Sequence, residues 1–235
     1  MKKIFQRVTT TLLIFSSLFF SALCHAENLN DAVSHNNRGT DYYYQNQYEQ
    51  ALQEFNKAIQ LNPNYDKAYY NRGLLYHSQK QYKRAIQDYD NTIRLNPSYT
   101  VAYNNRGCVY NELGQHERAI QDFNRAIQLN PNLAIAYNNR GLAYSNMQQY
   151  EQAVQDYSKA IELTPNYPEA YNNIGNICRI LEDYTLAIEY YNEAIHLNPN
   201  FAMAYHNRGI AYMLLGNAQN ANTDFSRAKE LGYTD

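Results

Sequence analysis

Apolar and small side chains recur along this chain with helical spacing, in a pattern that repeats every 34 residues. When each period is numbered 1 to 34, positions 4, 8 and 11 fall on one face of a first helix. Positions 17, 20, 21, 24, 27 and 28 form the apolar stripe of a second helix. Each period therefore predicts two amphipathic helices joined by a turn.

Small residues and a proline recur at the same positions of the 34-residue period, without insertions or deletions. Glycine stands at position 8 and alanine at position 20 of all six periods, and proline stands at position 32 of the first five. We expect the helices to approach closely at the glycine and alanine and to break at the proline. The marker residues are Gly39, Gly73, Gly107, Gly141, Gly175 and Gly209, then Ala51, Ala85, Ala119, Ala153, Ala187 and Ala221, then Pro63, Pro97, Pro131, Pro165 and Pro199.

The aromatic positions complete a family pattern. Tyrosine stands at position 4 of five periods and at position 11 of five, and Phe or Tyr stands at position 24 of all six. Together with the small residues and the proline, this resembles the tetratricopeptide repeat (TPR) family. The resemblance implies an all-α, right-handed α-solenoid of six helix-turn-helix repeats. Repeats 1 to 6 are predicted at residues 32–65, 66–99, 100–133, 134–167, 168–201 and 202–235.

Repeat 6 departs from the others as the last unit of a solenoid should. Ala218, Asn222 and Lys229 replace residues that are mostly aromatic or aliphatic at the same positions of repeats 1 to 5. A terminal helix has no neighbour to cover its outer face, so we expect repeat 6 to be self-capping.

The N-terminus resembles a bacterial signal peptide. Lys2, Lys3 and Arg7 precede an apolar stretch that ends before Cys24-His25-Ala26, and we predict cleavage after Ala26. Residues 1–26 are then the signal and residues 27–31 a short linker. The stretch is too short for a typical membrane-spanning helix, although a retained anchor and lipid attachment at Cys24 are the alternatives. We expect an exported protein, periplasmic or extracellular, with no stable membrane insertion after cleavage.

Charge and cysteine content exclude several classes of protein. Removal of the signal leaves 17 Lys and Arg against 22 Asp and Glu, so no basic face for a nucleic acid is expected. Cys108 and Cys178 lie in different repeats, which predicts two unpaired structural thiols. The sequence contains no catalytic cluster, metal motif or phosphate-binding loop. We therefore expect neither enzyme activity nor a cofactor.

An unusual charge pattern accompanies the repeats. Position 7 lies in the core stripe of the first helix, yet it is Arg in every repeat except repeat 5, and position 23 is acidic in the same repeats. Repeat 5 changes both, to Ile174 and Tyr190, which favours pairing within one repeat; the alternative is that each arginine keeps its head group in water. The predicted pairs are Arg38 with Glu54, Arg72 with Asp88, Arg106 with Asp122, Arg140 with Asp156 and Arg208 with Asp224.

Position 6 is asparagine throughout, and an amide that both donates and accepts suits the backbone of an extended peptide. The row resembles the asparagine ladder of peptide-binding TPR proteins, on the concave groove of a solenoid. The alternative is that these amides serve only local polar groups. The predicted ladder is Asn37, Asn71, Asn105, Asn139, Asn173 and Asn207, and the further predicted groove residues are Tyr70, His77, Asn104, Asn111, Asn138 and Asn172.

These observations predict a non-enzymatic scaffold or adaptor that binds a protein or peptide segment in its groove. The alternative function is a structural or assembly component of the cell envelope that associates through the ends or edges of the solenoid and leaves the groove empty. Self-association is compatible with either. The sequence names no partner.

Overall fold

The structure is a computed structural model, and it describes residues 29–234. The predicted signal peptide and its cleavage site after Ala26 lie outside these residues. Within them the chain forms twelve α-helices and no strand. None of these helices combines the length and the apolar character needed to cross a membrane.

The helices form six consecutive hairpins, one in each predicted repeat. Odd-numbered helices are the first helix of a repeat, called helix A, and even-numbered helices are helix B. Residues 29–31, predicted as linker, already belong to α1. The helices are α1 29–44, α2 Tyr48–Leu61, α3 Asp66–Ser78, α4 Tyr82–Leu95, α5 Thr100–Glu112, α6 His116–Leu129, α7 Ala134–Asn146, α8 Tyr150–Leu163, α9 Pro168–Ile180, α10 Tyr184–Leu197, α11 Ala202–Leu214 and α12 Ala218–Glu230.

In each hairpin a glycine of helix A packs against an aromatic ring of helix B. A Cβ atom at any of the six position-8 glycines would lie 2.6–2.9 Å from a ring carbon at position 24 of the same repeat. Real Cβ atoms do not approach carbon this closely, so only glycine leaves room for the ring. The glycine therefore accommodates the aromatic ring of its own helix B.

The turn between helix A and helix B has a left-handed residue at position 15 of every repeat. It is glycine in two repeats, Gly114 and Gly216, whose φ angles are 72° and 78°. The other four repeats place ordinary L-residues there, with φ between 57° and 64°: Asn46, Lys80, Gln148 and Glu182. This conformation strains a residue that carries a Cβ.

The chain divides into two compact units, one ending at Ala102 and one beginning at Tyr103. In the first unit, α2 packs on α3 and α3 on α4. In the second unit, each helix from α6 to α12 packs on the next, and α9 also contacts α7 and α11. Helices A of repeats 4, 5 and 6 therefore lie side by side, and their exposed faces adjoin.

Candidate functional site

Each arginine at position 7 of repeats 2, 3, 4 and 6 is held by an acid of its own repeat, and repeat 4 gives the complete arrangement. Arg140 donates from Nε and Nη2 to the two carboxylate oxygens of Asp156, over 2.7 and 2.6 Å. Its Nη1 donates over 2.6 Å to Oδ1 of Asn124, in the preceding repeat. The guanidinium carbon lies 5.5 Å from the ring centroid of Tyr137 and 6.0 Å from that of Tyr144. We call this arrangement the guanidinium box.

The box recurs with nearly constant geometry. Arg72, Arg106 and Arg208 make the same bidentate contact with Asp88, Asp122 and Asp224, over 2.6–2.8 Å. The acids are buried, and the arginine side chains are about four-fifths buried. Hydrogen bonds to Asp156 raise the pKa of Arg140 above its usual value. In repeats 2, 4 and 6 the arginine also donates from Nη1 to an asparagine of the preceding repeat, so in these repeats the box ties a hairpin together and links it to its neighbour.

Repeats 1 and 5 differ from this pattern. In repeat 1, His35 and Arg38 share one carboxylate oxygen of Glu54, over 2.8 and 3.0 Å, and the arginine is about half exposed. In repeat 5, Ile174 and Cys178 belong to a buried apolar cluster against which Tyr190 packs. Repeat 5 therefore replaces the guanidinium box with an apolar contact.

Four of the six asparagines at position 6 donate a hydrogen bond to an asparagine of the preceding repeat. Asn139, Asn173 and Asn207 donate from Nδ2 to the Oδ1 atoms of Asn104, Asn138 and Asn172, over 3.0–3.2 Å. In the first unit Asn71 donates to Asn36 over 2.9 Å. A side-chain amide has two N–H donors and a carbonyl oxygen, so Asn173 and Asn207 keep one donor and their acceptor for other partners.

Three predicted groove residues require correction. Asn104, Asn138 and Asn172 at position 5 are only 2–7% exposed, so their side chains do not line an open surface. Burial of an amide requires a hydrogen-bond partner, and the position-6 asparagine of the next repeat supplies it. Position 5 lies on the outward side of an isolated helix A, which is why it was predicted to line the groove, but its burial depends on the neighbouring repeat.

The remaining predicted groove residues have mixed environments. Tyr70 is partly buried, with its ring centroid 5.0 Å from that of Tyr99. His77 lies near the ring of Tyr82, at 6.1 Å. Asn111 accepts from His116 over 2.6 Å. In addition, Asn37 is exposed and Asn105 is partly exposed.

Apolar side chains flank the position-6 asparagines, and the sequence reasoning missed them. Positions 2, 6, 9 and 13 share one stripe of helix A, and we call the stripe on α7, α9 and α11 the A-helix face. It includes five large apolar side chains that are 40–49% exposed: Ile135, Leu142, Ile180, Met203 and Leu214. Counting apolar residues on the solvent side of helix A would have found them. The A-helix face therefore offers apolar contacts between polar amides.

Metal-binding clusters and cysteines are the other candidates for a functional site. Among residues 29–234 no group of three His, Cys, Asp or Glu side chains is arranged to hold a metal ion. Cys108 and Cys178 are unpaired, and burial raises the pKa of the Cys108 thiol to about 12, so it is a poor nucleophile at neutral pH. The fold and the exposed face together define a helical-repeat protein.

Comparison with family models assigns the family. A model described as TPR repeat matches residues 39–80 and 107–148. Models described as tetratricopeptide repeat match residues 66–99, 134–167 and 168–201, and residues 89–121 and 190–221. Because these matches together span most of the chain, the protein belongs to the TPR family. No curated protein matches the chain significantly.

Solved structures share the fold at low sequence identity. The structure of pilF from Pseudomonas aeruginosa is 20% identical, with a TM-score of 0.75 over 88% of this chain and 94% of that one. PilW, described as a widely conserved type IV pilus biogenesis factor, is 18% identical, with a TM-score of 0.79 over 87% and 95%. MamA from Desulfovibrio magneticus RS-1 is 22% identical, with a TM-score of 0.65 over 73% and 97%. The chain is thus an all-α TPR protein of six helix-turn-helix repeats.

Proposed function

We propose that this protein is an exported scaffold or adaptor that binds a protein or extended peptide segment along its A-helix face. TPR proteins typically mediate protein–protein interactions and carry out no chemistry of their own. The observation that carries the proposal is the A-helix face itself, where exposed apolar side chains alternate with asparagines that keep hydrogen-bonding capacity. Apolar contacts would supply affinity, and the amides would recognise backbone groups.

The position-6 asparagines have a structural task beside the proposed one. The Nδ2 atoms of Asn139, Asn173 and Asn207 donate to the buried side-chain oxygens of asparagines in the preceding repeat. Leaving such an oxygen without a hydrogen bond costs about 1–3 kcal/mol. Changing Asn139, Asn173 and Asn207 together to Ala should therefore lower both stability and affinity. We expect the affinity to fall by about 0.5–1.5 kcal/mol for each backbone bond lost.

Apolar substitutions on the A-helix face give a cleaner test. Partners are first identified by copurification with the mature protein, then titrated against Ile135→Ser/Leu142→Ser/Met203→Ser. All three side chains are exposed, so folding should be unchanged. The partner should bind more weakly by about 2–4 kcal/mol, since each side chain loses roughly 1 kcal/mol of apolar contact.

The matched control removes three exposed apolar side chains elsewhere. Leu113, Leu181 and Leu215 all stand at position 14, in the turns between helices A and B, and are similarly exposed. Changing them to Ser should leave the affinity nearly unchanged. Equal weakening by both triple variants would contradict the proposed face. Full affinity of the A-helix variant would favour association through the ends or edges, as in a structural component of the envelope.

Export is tested separately. The predicted mature chain begins at Glu27, after the Cys24-His25-Ala26 junction. The intact mass of protein isolated from the cell envelope and from the medium should therefore lack residues 1–26. A mass that retains them, or that shows lipid on Cys24, would contradict the predicted cleavage and indicate a membrane-anchored protein.

A further inference from the structure

Repeat 5 carries on the outer surface of helix B a group of residues that no other repeat has. Position 19 is Leu186, and positions 22 and 26 are Glu189 and Glu193. In the other repeats position 19 is Gln, Arg or Asn, position 22 is Gln or Thr, and position 26 is Lys, Arg or Asn. Repeat 5 thus exchanges a neutral or basic surface for an acidic and apolar one.

These residues surround a depression on α10. Leu186, Glu189, Tyr190, Asn192 and Glu193 line an open cavity of about 380 Å³. Leu186 is 38% exposed although it is apolar, and both glutamates are exposed. Among residues 29–234 neither glutamate forms an ion pair, whereas Lys159 at position 26 of repeat 4 pairs with Glu162 over 2.7 Å. The depression therefore has an apolar wall and two unpaired negative charges.

The loss of the guanidinium box places Tyr190 in this wall. In repeat 4 the corresponding Asp156 turns inward to Arg140. With Ile174 in place of the arginine, Tyr190 instead packs on the apolar cluster of Ile174 and Cys178. Tyr190 consequently contacts both the buried residues and the surface residues that distinguish repeat 5 from the other repeats.

We propose that this surface of α10 is a second docking site, which takes a protein segment presenting a basic side chain beside an apolar one. The apolar side chain lies against Leu186 and Tyr190, and the basic group pairs with Glu189 and Glu193. The charge of the site selects this occupant, because a basic group between two unpaired carboxylates gains attraction that an acidic or neutral one lacks. The site lies on helix B, so it does not depend on binding at the A-helix face.

The test uses two short fluorescent peptides with the full mature chain. One peptide has lysines on both sides of a Leu-Leu pair, and the other has glutamates in place of the lysines. Fluorescence anisotropy should show binding of the basic peptide only, weakening as salt is raised. Glu189→Gln/Glu193→Lys, which introduces residues typical of the other repeats, should weaken it by about 10-fold. Leu186→Gln, the residue of repeats 1 and 4, should weaken it by about 5-fold.

The matched control makes the same charge change away from the site. Glu117→Gln/Glu151→Lys alters exposed residues in the first turns of α6 and α8, and it should change binding by less than about 2-fold, since distant exposed charges are screened. Thermal unfolding checks that every variant folds, as substitution of exposed side chains predicts.

Several results would overturn the proposal. One is that the basic peptide does not bind the wild-type chain. Another is that the control variant Glu117→Gln/Glu151→Lys weakens peptide binding as much as Glu189→Gln/Glu193→Lys does. Loss of peptide binding in the triple serine variant of the A-helix face, with full binding by Leu186→Gln, would place the peptide on that face instead. A concentration-dependent dimer that Glu189→Gln/Glu193→Lys abolishes would assign the surface to a second copy of the chain.

Discussion

Adding one methyl group at Gly141 should destabilise the protein even though it improves the helix. The new Cβ atom would lie 2.8 and 2.9 Å from Cε1 and Cδ1 of Tyr157 and 3.1 Å from the backbone oxygen of Ala153. Tyr157 is buried, so its ring cannot swing into solvent. Overpacking of this kind costs about 1–3 kcal/mol, whereas Ala in place of Gly gains about 1 kcal/mol within a helix. The expected net loss for Gly141→Ala is about 0–2 kcal/mol.

A double-mutant cycle separates the two contributions. Tyr157→Leu removes the ring and, of the three closest contacts, leaves only that of 3.1 Å with the Ala153 oxygen, so Gly141→Ala made in that background should stabilise the protein by up to about 1 kcal/mol through helix propensity. The change in sign corresponds to a coupling energy of about 1–3 kcal/mol between the two positions. The free energy of unfolding of the four proteins is measured by urea denaturation with circular dichroism.

The cycle has a clear contrary outcome. If Gly141→Ala has the same effect with and without the Tyr157 ring, the glycine is not there to admit the ring. Gly141→Leu extends the test, because a larger side chain meets the same ring and should destabilise at least as much as Ala does. An unchanged unfolding curve for Gly141→Leu would also contradict the close approach of the two helices.

Three further predictions concern the turn, the guanidinium box and pH. Gly114→Ala should cost about 1–2 kcal/mol in urea denaturation because φ is positive there, while Gln148→Ala at the equivalent left-handed position should cost nearly nothing; equal losses would contradict this. Asp156→Ala should lower the free energy of unfolding by about 2–4 kcal/mol, because Arg140 loses its carboxylate partner. The double change Arg140→Ile/Asp156→Tyr, which introduces the pair found in repeat 5, should lower it by less in the same measurement. Burial raises the pKa of Tyr191 from 10.0 to about 12, so its ionisation favours the unfolded chain and the free energy of unfolding should fall as pH rises from about 10 to 12; a constant value across that range would contradict it.

The six hairpins were predictable because a single period fixes both helical stripes. Glycine at position 8 and an aromatic residue at position 24 mark the two helices, and the family resemblance pointed to the same architecture. The ion pair between positions 7 and 23 was also predictable, since both positions change together in repeat 5, to Ile174 and Tyr190. The structure has Arg140 bonded to Asp156 of its own repeat.

Other parts of the guanidinium box also change in sequence where the arginine is lost. Where repeat 5 lacks the arginine, the preceding repeat has Ser158 instead of Asn or Asp, and position 11 is Cys178 instead of Tyr. Both replaced residues contact the guanidinium group in the complete box of repeat 4. The hydrogen-bond partner in the preceding repeat and one of the two aromatic contacts were therefore also predictable from the sequence of repeats 4 and 5.

Two features could not be read from one period. Burial of Asn138 and Asn172 depends on where the next repeat's helix A lies, which the phase of a single helix does not specify. The left-handed turn residue was obscured because only Gly114 and Gly216 carry the glycine that usually marks it. At Lys80 and Gln148 the hairpin holds an ordinary residue in that conformation, and packing of the two helices overrides the local preference.

Differences between repeats are more informative than identities in a chain built by duplication. Asparagine stands at position 6 of all repeats, and in repeats 2, 4, 5 and 6 it bonds to the preceding repeat. Copying and packing together account for its identity, so peptide recognition needs independent support from the exposed apolar neighbours. Repeat 5 gives the opposite case. Relaxed packing alone would explain an apolar residue where a buried ion pair was lost. It gives no reason for two acids and an exposed leucine to appear on the solvent side of the same helix. Those outward changes imply contact with something outside the fold. Leu186, Glu189 and Glu193 lie on the surface of α10, and Tyr190 beside them packs on the buried cluster that contains Ile174 and Cys178.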